Sequence, residues 1–99
     1  MQSEKKTEPY LVAQVKKRKG YCIKLLTKYF MGLPDRLVLL PMGYIVFVET
    51  KSQGDNPRPI QRLIHHKLRS IGFTVYVADT KEKVNIILEE YDKWYGAFR

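Results

Sequence analysis

Residues 35–40 (Asp-Arg-Leu-Val-Leu-Leu) and 44–50 (Tyr-Ile-Val-Phe-Val-Glu-Thr) are two apolar runs joined only by Pro41-Met42-Gly43, a spacing that folds them back on each other as a hairpin. Pro suits the first position of a type I turn and Gly the left-handed residue that follows, so a three-residue loop pairs Leu40 with Tyr44. That register puts Asp35 directly across from Glu49. Leu37, Leu39, Ile45, Phe47 and Lys51 then share the face of the two carboxylates, and Val38, Val46 and Val48 line the other. A strand pair apolar on both faces needs cover on both, which predicts a sheet with helices on each side.

The rest of the chain supplies that cover. Thr7 is placed to cap a helix through about Lys19, with Glu8 in its first turn, Tyr10, Leu11 and Val15 on one face, and Gly20 ending it. Residues 21–26 read as a strand, 32–34 as a turn and 52–59 as a polar loop. Ile60, Leu63, Ile64 and Leu68 mark an amphipathic helix that stops before Gly72, residues 73–78 form a fourth strand, and Asp79 or Thr80 caps a last helix carrying Val84, Ile87, Leu88, Tyr91 and Trp94. The order is αβββαβα, an α/β fold with a mixed sheet.

At 99 residues, one domain is expected, with roughly two-thirds of the unfolded surface buried on folding. A hydrophobic content of 44% is too high for disorder. No apolar stretch approaches the ~20 residues that cross a bilayer. The start of the chain lacks the apolar run of a signal peptide, and the single Cys22 permits neither an internal disulfide nor a thiolate metal cluster, so a reducing cytoplasm is the expected compartment. The net charge of +8 is concentrated: residues 1–31 carry +6, and residues 57–72 carry Arg58, Arg62, Lys67 and Arg69 with no acid. Two basic segments point to a phosphate-binding surface, with Lys16, Lys17, Lys19, Arg58, Arg62 and Arg69 as contacts and Lys24 as a further one if it faces a cleft.

Two carboxylates opposed at a strand end repel unless a cation lies between them. A hard divalent ion such as Mg²⁺ takes one or two protein carboxylates, waters and substrate phosphate oxygens. Asp35, Glu49 and the backbone carbonyl of Thr50, whose side chain should point away, are the candidate ligands. Lys51 is then placed to orient or deprotonate water and to offset charge on phosphorus. Alone, Pro34-Asp35 would only begin a turn and Glu49-x-Lys51 would be a cross-strand surface pair. The register is what joins them. His65-His66 lacks the spacing of a zinc site, and Cys22 is assigned to the core.

Gly32-Leu33-Pro34-Asp35-Arg36, Val46-Phe47-Val48-Glu49-Thr50-Lys51 and Pro59-Ile60-Gln61 resemble the GxPD, ExK and downstream Q motifs of VRR-NUC domains, in the PD-(D/E)xK nuclease superfamily. The resemblance spans about residues 7–80. It implies a restriction-endonuclease-like αβββαβ core with a C-terminal helix, and metal-dependent hydrolysis of DNA with Mg²⁺, or Mn²⁺ as substitute. It also implies that Glu8 on the first helix completes the metal site, with Glu4 as a poorer substitute, that Gln61 orients the site, and that Arg36 faces DNA. Stand-alone phage members of the family imply a homodimer that cuts branched DNA such as a four-way junction. Other readings are a flap or nicking nuclease, an exonuclease, or a catalytically silent DNA-binding module; an RNA-binding domain is disfavoured because no strand carries an aromatic RNP-type motif.

Overall fold

A computed structural model describes residues 4–98 of the chain. Its elements are α1 (Glu4–Lys17), β1 (Tyr21–Lys24), β2 (Arg36–Leu40), β3 (Tyr44–Thr50), α2 (Pro59–Ser70), β4 (Val75–Ala78) and α3 (Lys81–Gly96). One sheet has the order β1-β2-β3-β4. Its first three strands are antiparallel, and β4 runs parallel to β3, as a crossover through a helix requires. The element order and the mixed sheet agree with the sequence reading, with strands trimmed at their ends.

Leu40 pairs with Tyr44 and Arg36 with Val48, so the hairpin register is the expected one and its continuation carries Asp35 across from Glu49. The turn itself differs. Met42 as well as Gly43 adopts the left-handed region, with φ of 70° and 73°, and Pro41–Gly43 form a single 3₁₀ turn in place of a type I turn.

The two sheet faces are covered unequally. Val38, Val46 and Val48 pack with Leu11 and Val15 of α1 and Val84, Ile87, Leu88 and Tyr91 of α3 in one core. An aromatic group of Tyr44, Tyr91, Trp94, Tyr95 and Phe98 extends it toward the hairpin. The carboxylate face has only α2, which buries Gln61, Ile64 and His65 and leaves Tyr21, Ile23 and Ile45 exposed.

Helix α1 departs from expectation at both ends. It is already helical at Glu4, so Thr7 lies inside it, fully buried, its hydroxyl donating to the Asp79 carbonyl at 3.5 Å, and does not cap it. The side chain of Glu4 lies outside the described residues. At the other end the helix stops at Lys17, and Lys19, with φ 63°, takes the left-handed position expected of Gly20. Gly20 is needed for another reason: a Cβ there would stand 2.4 Å from the Leu39 carbonyl oxygen, so only glycine lets the chain pass this close to β2. The α3 cap is Thr80, whose hydroxyl accepts from the Lys83 amide at 3.2 Å. Among the described residues, no helix is long and apolar enough to cross a membrane.

Candidate active site

Strand β3 ends by burying an acid. Glu49 is 1% exposed, because strand alternation turns it to the α2 face while β4 pairs alongside it. Burial first, and the charge of Asp35 second, push its pKa up to about 7, against the lowering influence of Lys51. The two carboxylates therefore sense each other, as the register requires. Asp35, one residue before β2, has its Oδ2 held at 3.1 Å by both the backbone amide and the hydroxyl of Thr50. This corrects the expectation for Thr50: its side chain does not point away but fastens Asp35, and it is fully buried.

The donors around Glu49 arrive from two elements. Lys51, two residues on and so on the same face, brings Nζ to 3.3 Å from Oε2. Gln61 Nε2 donates to the same oxygen at 2.8 Å. The orientation of that amide is set by the start of α2, because Gln61 Oε1 accepts from the Arg58 backbone N–H at 2.8 Å. A helix-capping contact thus decides which end of Gln61 meets the acid. Gln61 is 4% exposed, and so is no solvated surface glutamine.

Glu49 Oε1 is buried with no hydrogen-bond partner. So is His65 Nε2, 4.0 Å away on the next turn of α2. Burial, and then the charges of Arg69 and Lys51, hold the His65 pKa below its usual value, so the imidazole stays neutral near pH 7. The sequence places His65 four residues after Gln61, one helical turn along the same face, and sets it aside as an isolated histidine without zinc spacing; the structure puts it on that face, buried beside Glu49.

Glu8 does not join the carboxylates. Its Oε2 lies 3.0 Å from Arg36 Nε and 3.3 Å from Lys24 Nζ. Arg36 is thereby engaged with Glu8 and with the Cys22 carbonyl, and Lys24 flanks them on the edge strand, so neither is an uncommitted phosphate contact. Among the described residues, no three His, Cys, Asp or Glu side chains converge on one point. An orphaned buried carboxylate oxygen, two mutually repelling acids and an all-oxygen donor set nevertheless fit a hard divalent ion, which takes only one or two protein carboxylates. Cys22 is half-buried, with its thiol pushed up to about 11 by burial.

The basic residues divide between two places. Arg58 and Arg62 are exposed at the start of α2, next to Gln61, and Arg69 is exposed with its guanidinium on the Val75 carbonyl. Lys16, Lys17 and Lys19 are exposed at the end of α1, and Lys17 and Lys19 lie beside Pro41 and Tyr95, at the hairpin end of the sheet. The five residues of β2 separate that end from the carboxylates, about 17 Å at ~3.4 Å per residue.

No family model matches the sequence. A protein of Acyrthosiphon pisum secondary endosymbiont phage 1 named "Putative nuclease p44" is 39% identical over 84 residues, which are 85% of this chain and 90% of that protein. A solved structure described as a VRR_NUC domain matches with a TM-score of 0.84 at 32% identity, covering 92% of this chain and 99% of that one. The likeness runs over most of the length of all three chains. The chain belongs to the VRR-NUC family of nucleases, built on the PD-(D/E)xK type of fold.

Proposed function

We propose that this chain is a Mg²⁺-dependent endonuclease of the stand-alone phage kind that hydrolyses phosphodiester bonds in branched DNA, acting as a homodimer that resolves four-way junctions. The observation that carries the reading is the end of β3, where Lys51 and Gln61 both grip Glu49 Oε2, Oε1 is left without a partner, and the charge of Asp35 bears on the same carboxylate. A divalent ion held by Asp35, Glu49 and the Thr50 backbone carbonyl would polarise the scissile phosphate and make a bound water more acidic. Gln61, fixed by its helix cap, holds Glu49 by Oε2 and leaves Oε1 free of hydrogen bonds, 4.0 Å from His65 Nε2. Thr50, through its amide and hydroxyl, holds Asp35 by Oδ2. Lys51 is the cation of the set, 16% exposed at its side chain; it orients the attacking water and offsets the negative charge that grows on the phosphoryl oxygens. Glu8 serves to hold Arg36 and Lys24, and the site runs on two carboxylates and a carbonyl. Two cuts placed symmetrically across a junction require two sites, which a two-fold dimer supplies.

The reading is tested by cleavage of labelled duplex, flap and four-way-junction DNA with Mg²⁺, Mn²⁺ or EDTA. Asp35→Ala, Glu49→Ala and Lys51→Ala are each expected to lower the rate by at least ~100-fold, the scale of losing one electrostatic stabiliser. Affinity for DNA in EDTA should hold or rise in the two acid variants, since each removes negative charge facing phosphate. Glu8→Ala should cut at a near wild-type rate. Full activity of Asp35→Ala would overturn the assignment.

A further inference from the structure

The connection from β1 to Asp35 is built in a way that neither the core nor the chemistry explains. It is closed at its base by the Leu25 amide on the Asp35 carbonyl at 2.8 Å. Gly32, at φ 92°, packs so tightly on α2 that a Cβ would stand 2.6 Å from both the Ile60 carbonyl oxygen and Ile64 Cγ1. A loop pinned at both points should bury its apolar side chains against that helix. Instead Leu26, Tyr29 and Met31 are 63%, 82% and 68% exposed, and Phe30 is 53% exposed. Four large apolar residues raised on a fixed base form a surface patch, the kind that marks a binding site.

Three further observations say what the patch meets. First, it is continuous with the site: Thr27, Met31 and Gly32 share a small cleft with Arg58 and with Gln61, whose amide touches Glu49. Second, its other side opens on a groove of about 390 Å³ formed by Phe30, Ile64, Leu68, Ile71 and the stem of Lys67. Third, the surroundings are cationic. Residues 25–34 and 57–72 together hold five basic side chains and no acid, and Lys28 Nζ lies 5.0 Å from the centre of the Tyr29 ring. A second copy docking here through a two-fold axis would bring this patch against itself and set like charges face to face. Flat apolar rings ringed by cations are instead the chemistry that holds unpaired nucleotides, whose bases stack on aromatic side chains while phosphates meet Lys and Arg.

We propose that residues 25–34 are a stacking platform for unpaired nucleotides, with Tyr29 as its principal ring, so that the site is directed to strands leaving a duplex at a branch, gap or flap. This rests on the nuclease reading above and narrows its substrate class to DNA with unstacked bases beside the scissile bond.

The test is binding in EDTA, where no cleavage occurs. Gapped and continuous duplexes, the former with 2-aminopurine in the gap, are titrated with the wild-type chain, Tyr29→Ala and Tyr29→Phe. The wild-type chain and Tyr29→Phe should quench the 2-aminopurine and prefer the gapped DNA. In Tyr29→Ala the preference should fall by about tenfold, as expected for one lost base–aromatic stack. Because Tyr29 is 82% exposed, the fold is not at stake. An unchanged preference in Tyr29→Ala overturns the proposal. So does sedimentation showing that Tyr29→Ala turns a dimer into a monomer, which makes the patch an interface between copies. Absence of cleavage of any DNA with Mg²⁺ by the wild-type chain strikes the nuclease reading and leaves the platform standing on its binding result.

Discussion

A carboxylate that is 1% exposed and faces a second carboxylate gives up hydration with incomplete compensation from the lysine beside it. Glu49 is shifted from 4.5 to about 7, so between those values the folded chain binds a proton that the unfolded chain has released. Stability contributed by the neutral acid is therefore present at low pH and is lost as pH rises through about 7, an effect on the order of 3 kcal/mol at about 1.4 kcal/mol per unit. Without metal, the melting temperature should fall from pH 5 to pH 8 in the wild-type chain and much less in Glu49→Gln. Mg²⁺ competes with the proton for the same carboxylate, so it should raise the melting temperature more at pH 8 than at pH 6. Parallel pH profiles for the two proteins would show that Glu49 is not the strained group. At this scale the sequence was legible wherever a side chain's direction follows from strand parity: Asp35, Glu49 and Lys51 stand together as read. The side-chain direction of Thr50 was misread, and the Arg36 and Lys24 partners of Glu8 were not foreseen, because both are chosen by geometry that parity does not contain. Thr50 reaches Asp35 past the end of β2, and Glu8 sits one turn deeper in α1 than a Thr7 cap would place it.

Among the elements, the hairpin was readable in register and not in conformation. Three loop residues between two apolar runs settle the pairing whatever path the turn takes, so Leu40 meets Tyr44 even though Met42 occupies the left-handed region. That conformation costs a non-glycine residue about 1–2 kcal/mol, and Met42, 61% exposed, returns little packing for it. Met42→Asn, a residue that tolerates the region, should stabilise the chain by about 1 kcal/mol in urea unfolding, with an unchanged dependence on denaturant. A destabilised variant would mean that the methionine side chain packs better than its exposure indicates. Helix α2 was legible in extent from its apolar spacing. Its polar inner face, Gln61 and His65, was only half legible, since that face is defined by what the sheet presents to it.

On the scale of the whole molecule, most apolar residues of α3 complete the chain's own core. Ile87, Leu88 and Tyr91 are buried, Trp94 and Tyr95 pack against that core, and Ile86 and Phe98 are left 60% and 61% exposed. The proposed dimer is checked by sedimentation at micromolar concentration, where about twice the 11.7 kDa chain mass is expected. A monomer that nicks only one strand of a junction would instead favour the flap or nicking alternative. The unequal cover of the two sheet faces carries a last consequence. The core between the sheet and helices α1 and α3 holds the molecule together, whereas α2 rests on a few contacts, of which Gln61 and His65 lie against Glu49. Such a helix is a natural unit of sub-global opening. When it lifts, Glu49 loses its orienting amide while the sheet and its other two helices stay folded. Heating should accordingly abolish cleavage several degrees before the tertiary core gives way, and α2 amides should exchange with deuterium ahead of those in β2 and β3. The enzyme would then have a safety catch: a copy that has begun to unfold is disarmed before it is denatured.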